Sequence, residues 1–187
     1  KANARINAYG TVDELNAVLG VVLAEIDLPL VIRGQLTAAQ NALFIVGSDL
    51  ATPDASVAVP RVLPEHTAAV ERWITALESS LPPQKKFLLP SGSCTGALLH
   101  QARSVCRRAE RCVVFLGEKE GINAEVQMYL NRLGDYLFLA ARSANISHGC
   151  PETEVDMRGG MLKSLIPTPS KNLVLLTLQI SLLAEPQ

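Results

Sequence analysis

The stretch Leu98-Leu99-His100-Gln101-Ala102-Arg103-Ser104-Val105-Cys106-Arg107-Arg108-Ala109-Glu110-Arg111-Cys112-Val113-Val114-Phe115-Leu116 decides the fold. In it Leu98, Ala102, Val105, Ala109, Cys112 and Leu116 recur at alternating steps of four and three, the spacing that lays an apolar seam along one side of an α-helix. At ~100° per residue, Arg103, Arg107 and Arg111 fall roughly 140°, 180° and 220° from Leu98. A guanidinium row runs along the side turned away from the seam.

The pattern repeats on both sides of this stretch. Val126, Leu130, Leu133, Leu137, Ala140 and Ala144 form a second seam, with Asn131, Asp135 and Arg142 roughly 140° to 180° away from it. Near the start, Leu15, Leu19, Val22 and Ile26 make a third seam with Asp13 pointing out. Punctuation sets the boundaries. The first helix is predicted to open at the capping box Thr11-Val12-Asp13-Glu14 and to run to Glu25 or Ile26. The second spans Val31 to about Leu50, stopped by Pro53, and the third spans Pro64 to Leu81, stopped by Pro82-Pro83. The fourth runs from Ser93 to Lys119 and the fifth from Asn123 to Ser147. Five helices with short connections predict an all-α antiparallel five-helix bundle occupying residues 1–150. Residues 151–187 read as a divergent tail; its apolar segment Leu173 to Leu183 has no clean helical period and fits a packed strand or a loose end. A di-iron bundle needs Glu-x-x-His pairs, and none of His66, His100 or His148 lies in one. The three histidines are read as structural or exposed.

A net charge of -1 over 187 residues argues against a nucleic-acid binder, because phosphate affinity needs a surplus of Lys and Arg. Cys94, Cys106, Cys112 and Cys150 lack zinc or disulfide spacing, so a reducing compartment is expected. The apolar run near the end falls short of the ~20 residues of a membrane helix, and no membrane partner is expected. The sequence starts at Lys1 without Met, and further residues are expected upstream.

The polar backs of the helices admit two readings. They are solvated faces, or they are buried against a second copy of the chain, since Leu99, Cys106, Val113 and Phe138 lie among the charges. Arginine suits such an interface because its planar fork takes carboxylate or phosphate bidentately.

Four segments carry a family resemblance: Arg5-Ile6-Asn7-Ala8-Tyr9-Gly10-Thr11-Val12-Asp13-Glu14-Leu15-Asn16, Phe87-Leu88-Leu89-Pro90-Ser91-Gly92, Cys106-Arg107-Arg108-Ala109-Glu110-Arg111, and Tyr129-Leu130-Asn131-Arg132-Leu133-Gly134-Asp135-Tyr136-Leu137-Phe138. In order and spacing the chain resembles the PduO-type ATP:corrinoid adenosyltransferases over about residues 1–148. The resemblance implies a homotrimer with active sites between subunits, and transfer of the 5′-deoxyadenosyl group of ATP to the cobalt of cob(I)alamin, with Mg²⁺ assisting and triphosphate released. It implies ATP contacts at Lys1, Arg107, Arg108, Glu110, Arg111 and Asn131, and an inter-subunit ion pair of Asp13 with Arg103. Phe87 resembles the aromatic that packs by the lower face of the corrin, and Asp135, one turn from Asn131 beside the arginine row, suits anchoring an arginine. It further implies a cobalamin reductase and a cobalamin-dependent mutase as partners, in the cytoplasm or, for a eukaryotic source, the mitochondrial matrix. The family carries a Gly- and Thr-rich, phosphate-wrapping segment ahead of the position of Lys1. Asn3 and Asn7 stand where acidic residues are expected, and residues from Gly159 onward match nothing in the family.

The chemistry agrees with this residue set. Cob(I)alamin is itself the nucleophile, so the protein need supply only placement and charge control. Arg107 and Arg111, at i and i+4, suit the negative charge that develops on a departing triphosphate. Glu110 suits fixing an arginine or approaching magnesium. Phe87 suits a water-excluding wall that displaces the lower axial ligand and eases reduction of Co(II). The competing reading is a non-catalytic trimeric scaffold whose arginines only pair with Asp13 and Asp135 between chains.

Overall fold

The computed structural model describes residues 3–157. Among them are five α-helices: α1 (Ala4–Ala24), α2 (Leu30–Ala51), α3 (Pro64–Ser80), α4 (Cys94–Gly117) and α5 (Ala124–Ser147). The all-α bundle read from the sequence is the observed fold. Helix α4 packs between α1 and α5, α2 lies on α1 and touches α5, and α3 lies on α5. The compact unit they build runs to Thr153. None of the described helices is long and apolar enough to cross a membrane. The expectations for Lys1 and for residues 159–187 lie outside the described residues.

Local chemistry explains where the helices begin. Asn3 caps α1, its side chain accepting from the Arg5 amide at 2.7 Å, so α1 starts seven residues before the Thr11 box. Thr11 is buried inside the helix and donates its hydroxyl to the Asn7 carbonyl at 2.7 Å, one turn back. The helix ends at Ala24, which leaves Ile26 outside it and almost fully exposed. At α3, His66 Nδ1 accepts from the Leu63 amide at 3.0 Å, and the helix opens on Pro64, whose missing N–H costs nothing there. Ser93 and Asn123 cap α4 and α5 by accepting from Gly96 and Glu125.

The core is the meeting of three stripes. Leu15, Leu19 and Val22 of α1 and the whole α5 seam, Val126, Leu130, Leu133, Leu137, Ala140 and Ala144, are fully buried. Each buried leucine contributes roughly 1.5–3 kcal/mol relative to exposure. On α4 the buried stripe is Leu99, Ala102, Cys106, Ala109, Val113 and Leu116, while Leu98 and Cys112 are half-buried. The core direction is therefore turned roughly 50° from Leu98 at ~100° per residue. Leu99, Cys106 and Val113 thus face their own chain's core, and the case for a second copy that rested on them falls. Small side chains at Ala102, Cys106 and Ala109 let α4 sit close between its two neighbours.

Arg142, which its helical angle predicts to project outward, is instead 4% exposed. Its guanidinium is held by Glu152, at 2.6 and 3.1 Å, and donates to the Pro82 carbonyl at 2.9 Å. The chain returning after α5 and the loop leaving α3 cover that side of the helix.

Candidate functional site

The turn of the α4 stripe sorts its polar residues into three sets. On the α5 flank, Arg103 lies 5.3 Å from the centre of the Phe138 ring, a cation–π stack, and Glu110 Oε1 accepts from Asn131 Nδ2 at 2.9 Å. On the α1 flank, Arg108 pairs with Glu14, and Cys112 Sγ accepts from Asn7 Nδ2 at 3.3 Å. Between the flanks Arg107 and Arg111 are exposed, and among the described residues neither makes a hydrogen bond or ion pair. Their Cα atoms are one turn apart, about 6 Å along the axis. The Arg107 stem crosses α5 at Gly134, where an added β-carbon would stand 3.9 Å from Arg107 Cγ.

Two unpaired guanidiniums on a rigid helix, flanked by one fixed carboxylate and an amide, form an anion-receiving face. The rest of the polar chemistry is closed. Burial pushes the Cys106 thiol far above the usual range, and the nearby Glu110 carboxylate adds to this. Cys106 Sγ donates to the Leu130 carbonyl at 3.3 Å, which is helix packing and not a nucleophile. Burial likewise raises the Tyr129 hydroxyl. All four cysteines are free.

Other expected site residues stand apart from this face. Phe87 lies on the loop between α3 and α4 and is 75% exposed, so it does not serve as core packing. Asp135 accepts from Arg132 at 3.1 Å and not from the arginine row; Arg132 also reaches Glu71 at 3.4 Å. Arg103 and Asp135 line a cleft of about 480 Å³ with Phe138, Pro82 and Arg142. Asp13 lines a different cleft, between α1 and α2, with Tyr9, Asn16 and the exposed Phe44. Asp13 and Arg103 do not meet within one chain.

Among the described residues no cluster of three or more His, Cys, Asp or Glu side chains is arranged to hold a metal. A magnesium ion that arrives on a polyphosphate needs only one or two protein carboxylates. Glu110 fits that need, since Asn131 takes one of its two oxygens and fixes its direction.

Asn145 and Arg142 are the site residues that helical angle alone does not place. Both are buried polar residues in the mostly apolar run Leu139-Ala140-Ala141-Arg142-Ser143-Ala144-Asn145, and that interruption is the available signal.

Residues 1–144 match the family described as Cobalamin adenosyltransferase. The chain belongs to the cobalamin adenosyltransferase family. It is 41% identical over 150 residues to a cobalamin adenosyltransferase of Cupriavidus metallidurans, covering 80% of this chain and 79% of that one. With a corrinoid adenosyltransferase of Bacillus subtilis it shares 40% identity over 163 residues, or 83% and 82% of the two chains. Among solved structures, a variant PduO-type ATP:corrinoid adenosyltransferase from Lactobacillus reuteri, complexed with cobalamin and ATP, superposes with a TM-score of 0.79 at 37% identity. That match covers 83% of this chain and 87% of the other. The arginine face on α4 and the Phe87 loop of this adenosyltransferase both fall within the residues that the family match spans.

Proposed function

We propose that the chain transfers the 5′-deoxyadenosyl group of ATP to the cobalt of cob(I)alamin. The electron pair of Co(I) attacks the ribose C5′ carbon, a Co–C bond forms, and the C5′–O bond breaks. That bond's electrons leave with the triphosphate, while the cobalt goes formally from Co(I) to Co(III). The observation that carries the reading is the unpaired Arg107 and Arg111 beside the Glu110–Asn131 pair, in a chain of this family.

On this reading Arg107 and Arg111, about 6 Å apart along the helix, take separate phosphoryl groups and offset the charge that grows on the leaving group. Asn131 directs Glu110 and reads the nucleotide, and Glu110 is the carboxylate that would hold a magnesium, which would supply further charge neutralisation. Arg108 reaches ATP by exchanging its Glu14 partner, and Lys1 adds a contact from the start of the chain. Phe87 is the apolar wall at the lower face of the corrin. Asp13 and Arg103 pair across a subunit boundary in a homotrimer, with Asp135 a supporting anchor. The activity is assigned to the bundle, residues 1–150, and not to the tail, 151–187. A cobalamin reductase and a cobalamin-dependent mutase act before and after it, in the cytoplasm or the mitochondrial matrix; the four free thiols support a reducing compartment.

The test is a corrinoid-adenosylation assay with ATP, Mg²⁺ and chemically reduced cobalamin, beside calorimetric titration with ATP. Formation of the Co–C product and micromolar ATP binding are expected. A protein that binds no ATP and forms no product would leave only a helical scaffold.

A further inference from the structure

Between α3 and α4 a loop of a dozen residues carries Phe87 outward, and its two ends are held by buried polar side chains from the last turns of α5. Arg142, 4% exposed, donates to the Pro82 carbonyl at the start of the loop, at 2.9 Å. Asn145, 2% exposed, serves the other end: its Nδ2 donates to the Ser91 carbonyl at 2.9 Å, and its Oδ1 accepts from the Ser93 amide at 2.9 Å and the Ser93 hydroxyl at 3.0 Å. The fit is tight. A β-carbon at Gly92, whose φ is 122°, would stand 2.3 Å from Asn145 Oδ1, and one at Gly96 would stand 2.0 Å from it.

Asn145 is not itself a helix cap, though Ser93, the residue that caps α4, gives its amide and hydroxyl to it. Helix α4 is already capped by Ser93, and α5 closes through the His148 and Gly149 amides onto Ala144 and Ile146. The Arg142–Glu152 pair is nearly dry, and a buried ion pair is a weak source of stability compared with apolar packing. What the two side chains do is fix where the loop starts and ends, with Phe87 between them.

We infer that Arg142 and Asn145 are positioning residues for adenosyl transfer, clamping both ends of the 82–93 loop so that the Phe87 ring stands at a fixed depth against the corrinoid. The inference rests on the reading of Phe87 as the wall at the corrin's lower face. A wall that displaces an axial ligand must hold its place to within a fraction of an ångström; the Leu89 amide, donating to the Thr153 carbonyl at 2.8 Å, pins the stretch just after Phe87, and the Arg142 and Asn145 clamps fix the two ends from which that stretch is hung.

The experiment is a double-mutant cycle between Asn145→Ala and Phe87→Ala, read by the kinetics of each substrate and by the absorption of four-coordinate cob(II)alamin formed with ATP present. In the native background, Asn145→Ala is expected to lower kcat/KM for the corrinoid about tenfold and to reduce the four-coordinate signal, with KM for ATP moving less than about twofold. In the Phe87→Ala background the same change is expected to add nothing. Asn145→Asp, which retains the Ser93 acceptor but turns the Ser91 contact from a hydrogen bond into a facing pair of oxygens, releases that end of the loop and carries the test if the alanine variant does not fold. Arg142→Lys, which keeps the charge but not the fork, is expected to behave as Asn145→Ala. Equal losses in both Phe87 backgrounds, or equal effects on ATP and corrinoid, would overturn the positioning role alone. An unaltered corrinoid profile in Phe87→Ala itself would remove the Phe87 reading, and this inference with it.

Discussion

Asn131 on α5 donates to the Glu110 carboxylate on α4 at 2.9 Å, so the only acid inside the arginine row is oriented from a neighbouring helix. Glu110 precedes Arg111 by one residue and follows Arg107 by three, which puts it on the α5 flank of both. A carboxylate left to rotate there would fold onto the guanidiniums and cancel the charge that the proposed function assigns to the phosphates. The Asn131 amide prevents this at one bond's expense.

Asn131→Ala is therefore expected to raise KM for ATP about tenfold, the usual loss for one hydrogen bond to a charged group. Because Asn131 is exposed, the melting transition should hardly move. A cycle with Glu110→Gln tests the coupling: the double variant should be no worse than the poorer single one. Simple additivity would mean that Asn131 does not act through Glu110.

Arg107→Ala is expected to cut turnover by roughly two to three orders of magnitude, the effect of losing one preorganised electrophilic donor. Stability should change by less than about 1 kcal/mol, since the lost contacts are those of an exposed stem lying over Gly134. Arg107→Lys should recover only part of the rate, because a point charge cannot replace the fork. Steady-state kinetics paired with a urea titration decides it, and unchanged turnover removes Arg107 from the machinery.

Much of this architecture is legible in the sequence because it depends on period. The α5 seam, the ends set by Pro53 and Pro82, and the exposed Arg107 and Arg111 all follow from spacing and breakers. What periodicity leaves open is the rotation of a helix with a wide apolar arc. Leu98 and Leu99 are equally apolar, and only the presence of α1 on one flank and α5 on the other settles the stripe on Leu99, Cys106 and Val113. The same holds for Arg142. Its angle on α5 points away from the seam, but α3 and the returning chain occupy that side, and the only local hint of them is the polar break that Arg142 makes in an apolar stretch. The early start of α1 was hidden because Asn3 caps as well as Thr11 does, and Thr11 has an alternative partner one turn back.

Asp49 ties together three segments that the sequence separates widely. It is 5% exposed; Oδ1 accepts from Arg61 at 2.9 Å, and Oδ2 accepts from the Val62 amide at 2.9 Å and from Asn123, the α5 cap, at 2.8 Å. Asp49→Ala leaves the Val62 amide without its acceptor and strips Arg61 and Asn123 of one partner each, and is expected to lower the unfolding free energy by about 3 kcal/mol, the low end of the range for breaking a buried pair. The low end applies because the Arg61 side chain is 26% exposed and still reaches the Thr52 and Asp54 carbonyls. The urea midpoint measures it, and a shift worth under about 1 kcal/mol would reduce this cluster to a surface ion pair.

His100 gives the fold a dependence on pH. The ring is 7% exposed, with its centroid 6.0 Å from that of Phe138. Burial holds its pKa below the ordinary 6.5, the Arg103 charge lowers it further, and Glu152 opposes both. In the unfolded chain the imidazole takes its proton near pH 6.5, whereas in the folded chain it resists until the pH is lower. The unfolded state thus binds more protons as the solution is acidified, and stability falls as pH drops below about 6.5, by at most about 1.4 kcal/mol per pH unit from this group. Above that value its contribution is constant. Melting curves at pH 7.5, 6.5 and 5.5 should show the decline in the native protein and a flatter profile in His100→Gln. The cation–π stack gives an internal check: Arg103→Met removes a positive charge that lowers the His100 pKa while keeping contact with Phe138, and should leave the onset near pH 6.5 but make the decline smaller. Parallel profiles for the native protein and both variants would assign the acid sensitivity to other groups.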